Sequence, residues 1–372
     1  MRVFFDDPAF HIETRGGVSR HVALLARLLA ESGEAEVHVF AGWNGNRFGR
    51  ELAQTPRLRV HRLPRPPQLR INGLARGISA VWRRVVAAGV FRSPTIYHGS
   101  FYPLDPQLAV RASATVCTLY DMIPEMYPVS GRSAQRYRSD KEAAARLATH
   151  LLAISESTAR DAERLFPWIQ GRTTVVPLTT DLFGVAAAAR PSVAPPGNYF
   201  LMVGQRDSYK NGALALRAFA AVAAGRPGLR LVLCGGVPRR EETALIADLG
   251  LAERVDFIAP DDAWLRTHYE NALGLLYPSR HEGFGLPVLE AMLCGCPVVT
   301  TPLTSIPEVA GEAALYAGPD DVATFAAHLR TLLDPVAREF RGGLGRKRAE
   351  LFRPEAHVRR MLDFYRAVMS AR

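Results

Sequence analysis

Thirteen short apolar runs, rich in β-forming residues, alternate with helical patterns along almost the whole 372-residue chain. Such alternation is typical of βαβ units, and therefore of parallel sheets covered by helices. Seven runs lie in the first half, near residues 3–5, 37–40, 59–62, 95–97, 115–119, 151–154 and 174–176. Six lie in the second half, near residues 199–203, 229–234, 255–258, 275–277, 298–300 and 315–316. The pattern predicts an α/β protein with two sheets.

Residues 183–198 separate the two sets of strands. They contain four consecutive alanines and several prolines without helix or strand periodicity, which is typical of a linker. The chain length corresponds to about two domains of roughly 150 residues. We therefore predict a first domain at 1–182, a second at 199–353 and a final amphipathic helix at 354–372.

The composition is that of an ordinary globular protein, since 48% of the residues are hydrophobic and 22% are charged. The net charge of +10 is unevenly placed, because residues 51–100 hold nine arginines against one glutamate. These arginines lie in one segment without the aromatic-rich motifs of nucleic-acid binding, so nucleic acid is not an expected partner.

Residues 62–92 combine this basic charge with an amphipathic pattern. Two interpretations remain open for the predicted helix. It can be an ordinary surface helix whose apolar side packs on the protein core. Alternatively, the basic helix can lie on an anionic membrane face. The residues that carry the pattern are Arg62, Arg65, Arg70, Leu74, Arg76, Ile78, Val81, Trp82, Arg83, Arg84 and Val85.

The four cysteines lack metal-ligand spacing, which favours reduced thiols. An acidic pair follows the first few apolar residues, so the start of the chain does not fit a secretory signal, and no apolar run fits a membrane span. A cytoplasmic location is the expectation.

Polar residues follow the predicted strands in both halves. In open parallel sheets, ligands bind beyond the carboxyl ends of the strands. Two such polar rims would enclose an anionic small molecule between the domains. The rim residues are Asp6, Asp7, His98, Ser100, Tyr120, Asp121 and Ser155 in the first half, and Gly204, Gln205, Arg206, Gly235, Gly236, His281, Glu282 and Thr301 in the second.

The sharpest motif is EGFGLPVLE, which runs from Glu282 to Glu290. Pro287 fits the first turn of a helix, and glycines before it let backbone approach a ligand closely. A helix start favours an anion such as a phosphate. Glu282 in the preceding loop and Glu290, expected on the first helical turn, are hydrogen-bond acceptors that suit sugar hydroxyls. The alternative is a solvated glutamate plus a charge–dipole pair.

The stretch YPSRHEGFGLPVLEAMLCGCPVVT, residues 277–300, resembles the E-x7-E signature of retaining glycosyltransferases of family 4, which have the GT-B fold of two Rossmann-like domains facing a central cleft. The resemblance extends over about residues 1–330. Further matching segments are GGVSR at 16–20, YH at 97–98, DMIPE at 121–125, ISEST at 154–158, VGQRDSYKN at 203–211 and SIPEV at 305–309. The resemblance also implies that the terminal helix crosses back to the first domain.

The resemblance implies roles for particular residues. Glu282 would hold donor-sugar hydroxyls, Glu290 the nucleotide ribose, and Arg206 and Lys210 the diphosphate, whose negative charge grows as the sugar–phosphate bond breaks. Backbone and neighbouring contacts to the donor would come from Gly17, Gly204, His281, Gly283, Phe284, Gly285 and Leu286. Neither a cofactor nor a metal is required, because no Asp-x-Asp or His/carboxylate cluster marks a metal site.

The chain departs from the family pattern before Asp121, where many relatives carry histidine and this chain has Tyr120. Either the Tyr120 hydroxyl, which does not titrate near neutral pH, or His98 on the neighbouring strand would take that role. A structural hydrogen-bonded histidine is the alternative for His98. Asp121 and His98 are candidate catalytic residues together with Glu282, Arg206 and Lys210, whereas Tyr120 and Glu125 are the candidate acceptor-side residues.

The expected activity is retaining transfer of a sugar from a nucleotide diphosphate donor to a hydroxyl of a glycan or lipid-linked oligosaccharide in polysaccharide assembly. The resemblance implies front-face displacement rather than a double displacement with two carboxylates. GDP-mannose is the first donor considered, with rhamnose or glucose from dTDP or UDP donors as alternatives. A phosphorylase-like enzyme, an epimerase and a non-enzymatic two-domain sugar-binding protein are further alternatives.

Overall fold

The computed structural model describes residues 1–12, 17–42, 46–63, 72–127, 131–186, 198–206, 208–259 and 262–370. The chain forms two compact units, one of Met1–Leu178 with Pro354–Arg372 and one of Thr179–Arg353. Residues 179–182, assigned from the sequence to the first domain, thus belong to the second unit. Most of the expected linker, 187–197, lies outside the described residues.

The first unit contains a parallel sheet of seven described strands in the order β3-β2-β1-β4-β5-β6-β7. The strands are β1 Arg2–Phe5, β2 Glu36–Gly42, β3 Leu58–Arg62, β4 Thr95–Gly99, β5 Ala114–Leu119, β6 His150–Ala153 and β7 Thr173–Val175. The helices are α1 Ala9–Ile12, α2 Gly17–Ser32, α3 Arg47–Glu51, α4 Asn72–Val90, α5 Pro106–Arg111, α6 Ile123–Met126, α7 Arg132–Leu147 and α8 Glu156–Leu165.

The second unit contains six described parallel strands in the order β10-β9-β8-β11-β12-β13. The strands are β8 Tyr199–Val203, β9 Arg230–Cys234, β10 Val255–Ile258, β11 Gly274–Tyr277, β12 Val298–Thr300 and β13 Leu315–Tyr316. The helices are α9 Gly212–Ala223, α10 Arg240–Asp248, α11 Asp262–Asn271, α12 Leu286–Leu293, α13 Ile306–Ala310, α14 Val322–Thr331 and α15 Pro335–Ala349.

The final helix, α16 Pro354–Ser370, packs against α2 in the first unit. The residues spaced three to four apart in the sequence, His357, Met361, Phe364, Tyr365 and Val368, are all buried, as expected for its apolar face. The His357 ring also bonds the Pro177 carbonyl through Nδ1 at 2.8 Å.

All thirteen sequence-predicted strands are present, each within about two residues of its predicted bounds. The reason is that strands of a helix-covered parallel sheet are buried on both faces and therefore read as continuous apolar runs. Every residue of β5 is buried, for example. Ser155 caps the start of α8, because its hydroxyl accepts the Thr158 N–H at 3.0 Å.

The apolar stripe of α4 faces outward. Val81 is 61% exposed, and Ile78, Trp82 and Val85 are exposed too. Arg83 points inward instead and pairs with the buried carboxylates of Asp7 and Asp105. The stripe is therefore not the packing face of a surface helix. Arg65 and Arg70, and the side chains of Leu74 and Arg76, lie outside the described residues.

In the described ranges, no helix combines the length and apolar character needed to cross a bilayer.

Candidate functional site

Lys210 and Glu282 form a close ion pair in the second unit. The Lys210 ammonium donates to both carboxylate oxygens of Glu282, at 2.6 and 2.8 Å, and to the Tyr277 hydroxyl at 3.1 Å. The two side chains are 16% and 8% exposed. Lys210 follows β8, and Glu282 follows β11, the strand beside it in the sheet. The structure thus brings together two residues that the sequence assigned to one site.

Helix α12 begins directly after this pair. Gly285 precedes it in the left-handed region, with φ 95°, and Pro287 lies in the first turn, as the motif predicts. Phe284 is buried and packs edge-on against the Phe352 ring, with the two ring centroids 5.8 Å apart. An eight-residue helix that starts this way presents the positive end of its dipole four residues after Glu282. Among the neighbouring candidates, His281, Gly283 and Gly285 are buried and Leu286 is half-buried.

Glu290 lies on the second turn of α12 rather than on the first, which corrects the sequence-based placement. The helix starts only at Leu286, because Gly285 has a left-handed conformation, so Glu290 is its fifth residue. The carboxylate is buried and accepts hydrogen bonds from the Tyr269 hydroxyl at 3.1 Å and from Thr180 Oγ1 at 3.3 Å. Thr180, in the stretch expected to close the first domain, was not a sequence-based candidate.

Arg206 follows β8 and is held by a carboxylate that the sequence did not single out. Its Nε donates to Glu242 Oε1 at 2.6 Å, and its Nη2 donates to the Gly236 carbonyl at 2.6 Å. The guanidinium lies over the Phe257 ring, 5.4 Å from its centroid, and the side chain is only 5% exposed.

The turns after β8 and β9 approach each other closely beside Arg206. A Cβ at Gly235 would lie 2.4 Å from the Gly204 carbonyl oxygen, and both glycines have positive φ. A cavity of about 560 Å³ opens here, with Arg206 and Glu242 in its wall. Lys210, Glu282 and Glu290 are not among its lining residues.

In the first unit, a wholly buried lysine organises the acceptor-side candidates. Lys141 donates to Glu125 Oε2 at 2.8 Å and to the Asp121 carbonyl at 2.9 Å, and its ammonium lies 5.0 Å from the centroid of the Tyr137 ring. Asp121 keeps a side chain that is 29% exposed, and its carboxylate accepts the Ile123 N–H. Lys141 was not a sequence-based candidate, because a lysine inside a charged helix reads as a solvated residue.

Tyr120 is buried next to this cluster, and burial raises the pKa of its hydroxyl, so the group stays protonated. Its ring contacts that of His21 on α2, with centroids 5.8 Å apart. His21 is therefore the histidine that the structure places against Tyr120, although the sequence drew attention to His98.

His98 does not fit the substrate-contacting role considered for it. It lies within β4, which extends through Gly99, and it is 2% exposed. Both ring nitrogens are occupied, one by the Tyr365 hydroxyl at 2.6 Å and the other by Thr118 Oγ1 at 2.7 Å. Burial lowers its pKa to about 3. The geometry favours the alternative, a neutral structural histidine.

Gly17 is the first residue of α2, and a Cβ there would meet open space, while Gly16 lies outside the described residues.

In the part of the chain that the structure describes, no group of three or more His, Cys, Asp or Glu side chains could hold a metal ion.

Two family models cover most of the chain. Residues 15–182 match the model described as Glycosyltransferase Family 4, and residues 188–340 match Glycosyl transferases group 1. The O-antigen chain mannosyltransferase B of Escherichia coli is 31% identical over 73% of this chain and 74% of its own. A D-inositol 3-phosphate glycosyltransferase of Acidothermus cellulolyticus is 32% identical over 60% of this chain and 54% of its own.

Solved structures share the fold at lower identity. Sucrose-phosphate synthase from Thermosynechococcus elongatus superimposes with a TM-score of 0.73, at 22% identity over 100% of both chains. Anabaena HepE, in complex with UDP and glucose, gives 0.71 at 18% identity over 99% of this chain and 100% of its own. The two Rossmann-like units and these matches define a glycosyltransferase of the GT-B fold. The chain belongs to glycosyltransferase family 4.

Proposed function

We propose that the protein transfers mannose from GDP-mannose, with retention of anomeric configuration, to a hydroxyl of a glycan or lipid-linked oligosaccharide in the assembly of a surface polysaccharide. The observation that carries the proposal is the Lys210–Glu282 pair at the start of α12. It combines a cation, a sugar-hydroxyl acceptor and a positive helix end within one short stretch of structure.

The diphosphate of the donor binds at Lys210, Arg206 and the start of α12. Cleavage of the bond between the anomeric carbon and the phosphate oxygen leaves negative charge on the departing nucleoside diphosphate. Fixed cations and a helix dipole stabilise that charge in the transition state. When the donor binds, Lys210 exchanges part of its contact with Glu282 for phosphate oxygens.

Glu282 accepts hydrogen bonds from the hydroxyls of the transferred sugar, and Glu290 accepts them from the ribose. Glu290 already accepts two hydroxyl hydrogen bonds within the second unit. A carboxylate has about four lone-pair sites and can therefore accept several hydroxyl hydrogen bonds at once.

The acceptor hydroxyl attacks the anomeric carbon from the side on which the phosphate departs. The new bond joins the acceptor oxygen to the anomeric carbon, and the hydroxyl proton passes to a phosphate oxygen of the leaving group. Asp121, with its partly exposed carboxylate, orients the acceptor. No enzyme nucleophile is needed, in contrast to the two close carboxylates of a double-displacement hydrolase.

Mannose is favoured because two relatives are named O-antigen chain mannosyltransferases, the second being RfbU of Salmonella typhimurium, 31% identical over 36% of this chain and 38% of its own. Rhamnosyl or glucosyl transfer is the alternative, since HepE has been solved in complex with UDP-glucose.

The test is a panel of GDP-mannose, dTDP-rhamnose and UDP-glucose, each incubated with a glycan acceptor and without it. The expected result is acceptor-dependent transfer from GDP-mannose, an α-linked product by NMR, and an upward thermal shift with GDP. Conversion of donor without acceptor would favour an epimerase, and binding without turnover a sugar-binding protein. As a control for substitutions in the site, Glu339→Ala removes a partner of an exposed ion pair on α15 and should transfer sugar at the wild-type rate.

Helix α4 supplies contact with an anionic membrane at the cytoplasmic face, where a lipid-linked acceptor would lie. Support comes from the exposed stripe of Ile78, Val81, Trp82 and Val85, within a segment of nine arginines against one glutamate. Val81→Glu with Val85→Glu should reduce sedimentation with phosphatidylglycerol vesicles. Val110→Glu, at a residue on α5 that is 84% exposed, should not. Equal binding of both variants would contradict membrane contact through α4.

A further inference from the structure

We infer that Glu242 is a positioning residue that fixes the guanidinium of Arg206 for the donor diphosphate. The inference rests on the proposed function, which assigns the diphosphate to Arg206 and gives Glu242 no role.

The hydrogen bonds of Arg206 are divided unevenly over its guanidinium. The Nε edge faces Glu242, with Nε to Oε1 at 2.6 Å and Nη2 to Oε2 at 3.3 Å, and Nη2 also bonds the Gly236 carbonyl at 2.6 Å. Among the described residues, Nη1 has only one contact, to the Gly204 carbonyl at 3.5 Å. Since arginine carries five N–H donors in a rigid plane, fixing the Nε edge fixes the direction of Nη1.

The uncommitted end of the guanidinium lies at the carboxyl end of β8. Gly204, the residue next to Nη1, directly follows that strand. This is the edge of a parallel sheet at which ligands bind. The Phe257 ring beneath the guanidinium and its 5% exposure leave the side chain little room to take another direction.

A carboxylate at this place is unfavourable for simple anion binding. Glu242 lies in direct contact with the cation assigned to the diphosphate, and its charge opposes the approach of phosphate. Its benefit must therefore come from orientation, which counts most in the transition state. Replacing Glu242 should for this reason lower turnover without weakening ground-state binding of the diphosphate.

Glu242→Gln is the central variant, and Glu241→Gln is its matched control. Both residues are in the first turn of α10 and line the same cavity, but Glu241 is exposed, and within the described ranges the carboxylate that pairs with Arg206 is that of Glu242. For Glu242→Gln we expect kcat to fall by about tenfold, because a small misplacement of a catalytic group is costly. The Kd for GDP should stay equal or become lower. Glu241→Gln should match the wild type.

A double-mutant cycle with Arg206→Ala provides the readout that a merely structural role would not move. If Glu242 acts through Arg206, Glu242→Gln should cause no further loss of kcat in the Arg206→Ala background. Glu242→Asp should recover part of the activity lost in Glu242→Gln. The far-UV circular dichroism spectrum of each variant should match that of the wild type, which separates misorientation from misfolding even where loss of one partner of the buried pair lowers the thermal midpoint.

Three results would overturn the inference: a kcat for Glu242→Gln within twofold of the wild type, an equal loss in Glu241→Gln, or full additivity with Arg206→Ala. If Arg206→Ala itself left transfer and GDP binding unchanged, the diphosphate assignment of the proposed function would be wrong as well. Impaired Arg206→Ala with unimpaired Glu242→Gln would remove only the positioning role.

Discussion

The Lys210 ammonium lies within 2.8 Å of both carboxylate oxygens of Glu282, although 72 positions separate the two residues in the chain. Each compensates the charge of the other at a place where both are largely removed from water. A buried ion pair of this kind is costly to break by deleting one partner. The proposed function assigns this pair to the binding of a charged, hydroxyl-rich donor.

Removal of either partner should abolish most of the transfer without unfolding the second unit. For Lys210→Ala we expect a loss in kcat of about 100-fold or more, because a cation that stabilises the leaving group is missing. Glu282→Gln keeps the shape of the side chain but weakens its hydrogen bonds to sugar hydroxyls, so the loss should be smaller. Steady-state kinetics with circular dichroism as a folding control measure both. Near-normal rates in both variants would contradict the site.

A close contact between α15 and the end of α12 should make one glycine irreplaceable. A Cβ at Gly342 would lie 2.4 Å from the Gly295 carbonyl oxygen, whereas a Cβ at Gly343 would meet open space. Gly342→Ala should therefore lower the free energy of unfolding by about 1–3 kcal/mol. Gly343→Ala should raise it by up to about 1 kcal/mol, since alanine favours a helix. Urea unfolding of both variants measures the difference, and equal effects would contradict the packing.

The buried Lys141 should be essential for the first unit. Lys141→Met would leave Glu125 as an unpaired carboxylate, and such losses cost about 3–5 kcal/mol. The double variant Lys141→Met, Glu125→Gln should recover part of that stability. Glu142→Gln, the neighbour in an exposed pair with Arg146, should change little. Thermal unfolding measures the expected order of stability, with Lys141→Met lowest, the double variant higher and Glu142→Gln close to the wild type. A double variant less stable than Lys141→Met would contradict this account.

Acid should destabilise the first unit through buried histidines. Burial lowers the pKa of His98 to about 3 and that of His357 to about 4, from a usual 6.5. The unfolded chain therefore binds more protons, and the stability present above pH 6.5 is lost as the pH falls toward 4. Asp6 acts oppositely below pH 6, because burial raises its pKa to about 6. His357→Asn, which keeps a donor for the Pro177 carbonyl, should flatten the dependence between pH 7 and 6. If the free energy of unfolding of His357→Asn changed with pH as steeply as that of the wild type, the role of His357 in acid destabilisation would be contradicted.

The sequence was sufficient for the strands and for the E-x7-E motif, because both are local patterns. The two-sided burial of a parallel strand appears as an apolar run, and a helix start after glycine appears as a proline at the right spacing. The two-residue error at the end of β4 had a large consequence, because it made His98 a rim residue when it lies inside the strand.

Partners that are distant in sequence could not be predicted. Glu242 lies 36 positions after Arg206, and Thr180 lies 110 positions before Glu290, so neither spacing follows a helix or strand period. The outward direction of the apolar stripe on α4 could not be predicted for the same reason, because it depends on partners that are distant in the sequence. An amphipathic pattern shows that two faces differ, but the inward face is set by the carboxylates of Asp7 and Asp105.

The central claim is that one diphosphate is bound by Lys210 and Arg206 while Glu282 contacts the sugar. A crystal structure with GDP-mannose tests it most directly. We expect phosphate oxygens within hydrogen-bond distance of both cations, and mannose hydroxyls on the Glu282 carboxylate. A fully occupied donor whose phosphates contact neither Lys210 nor Arg206 would contradict the account.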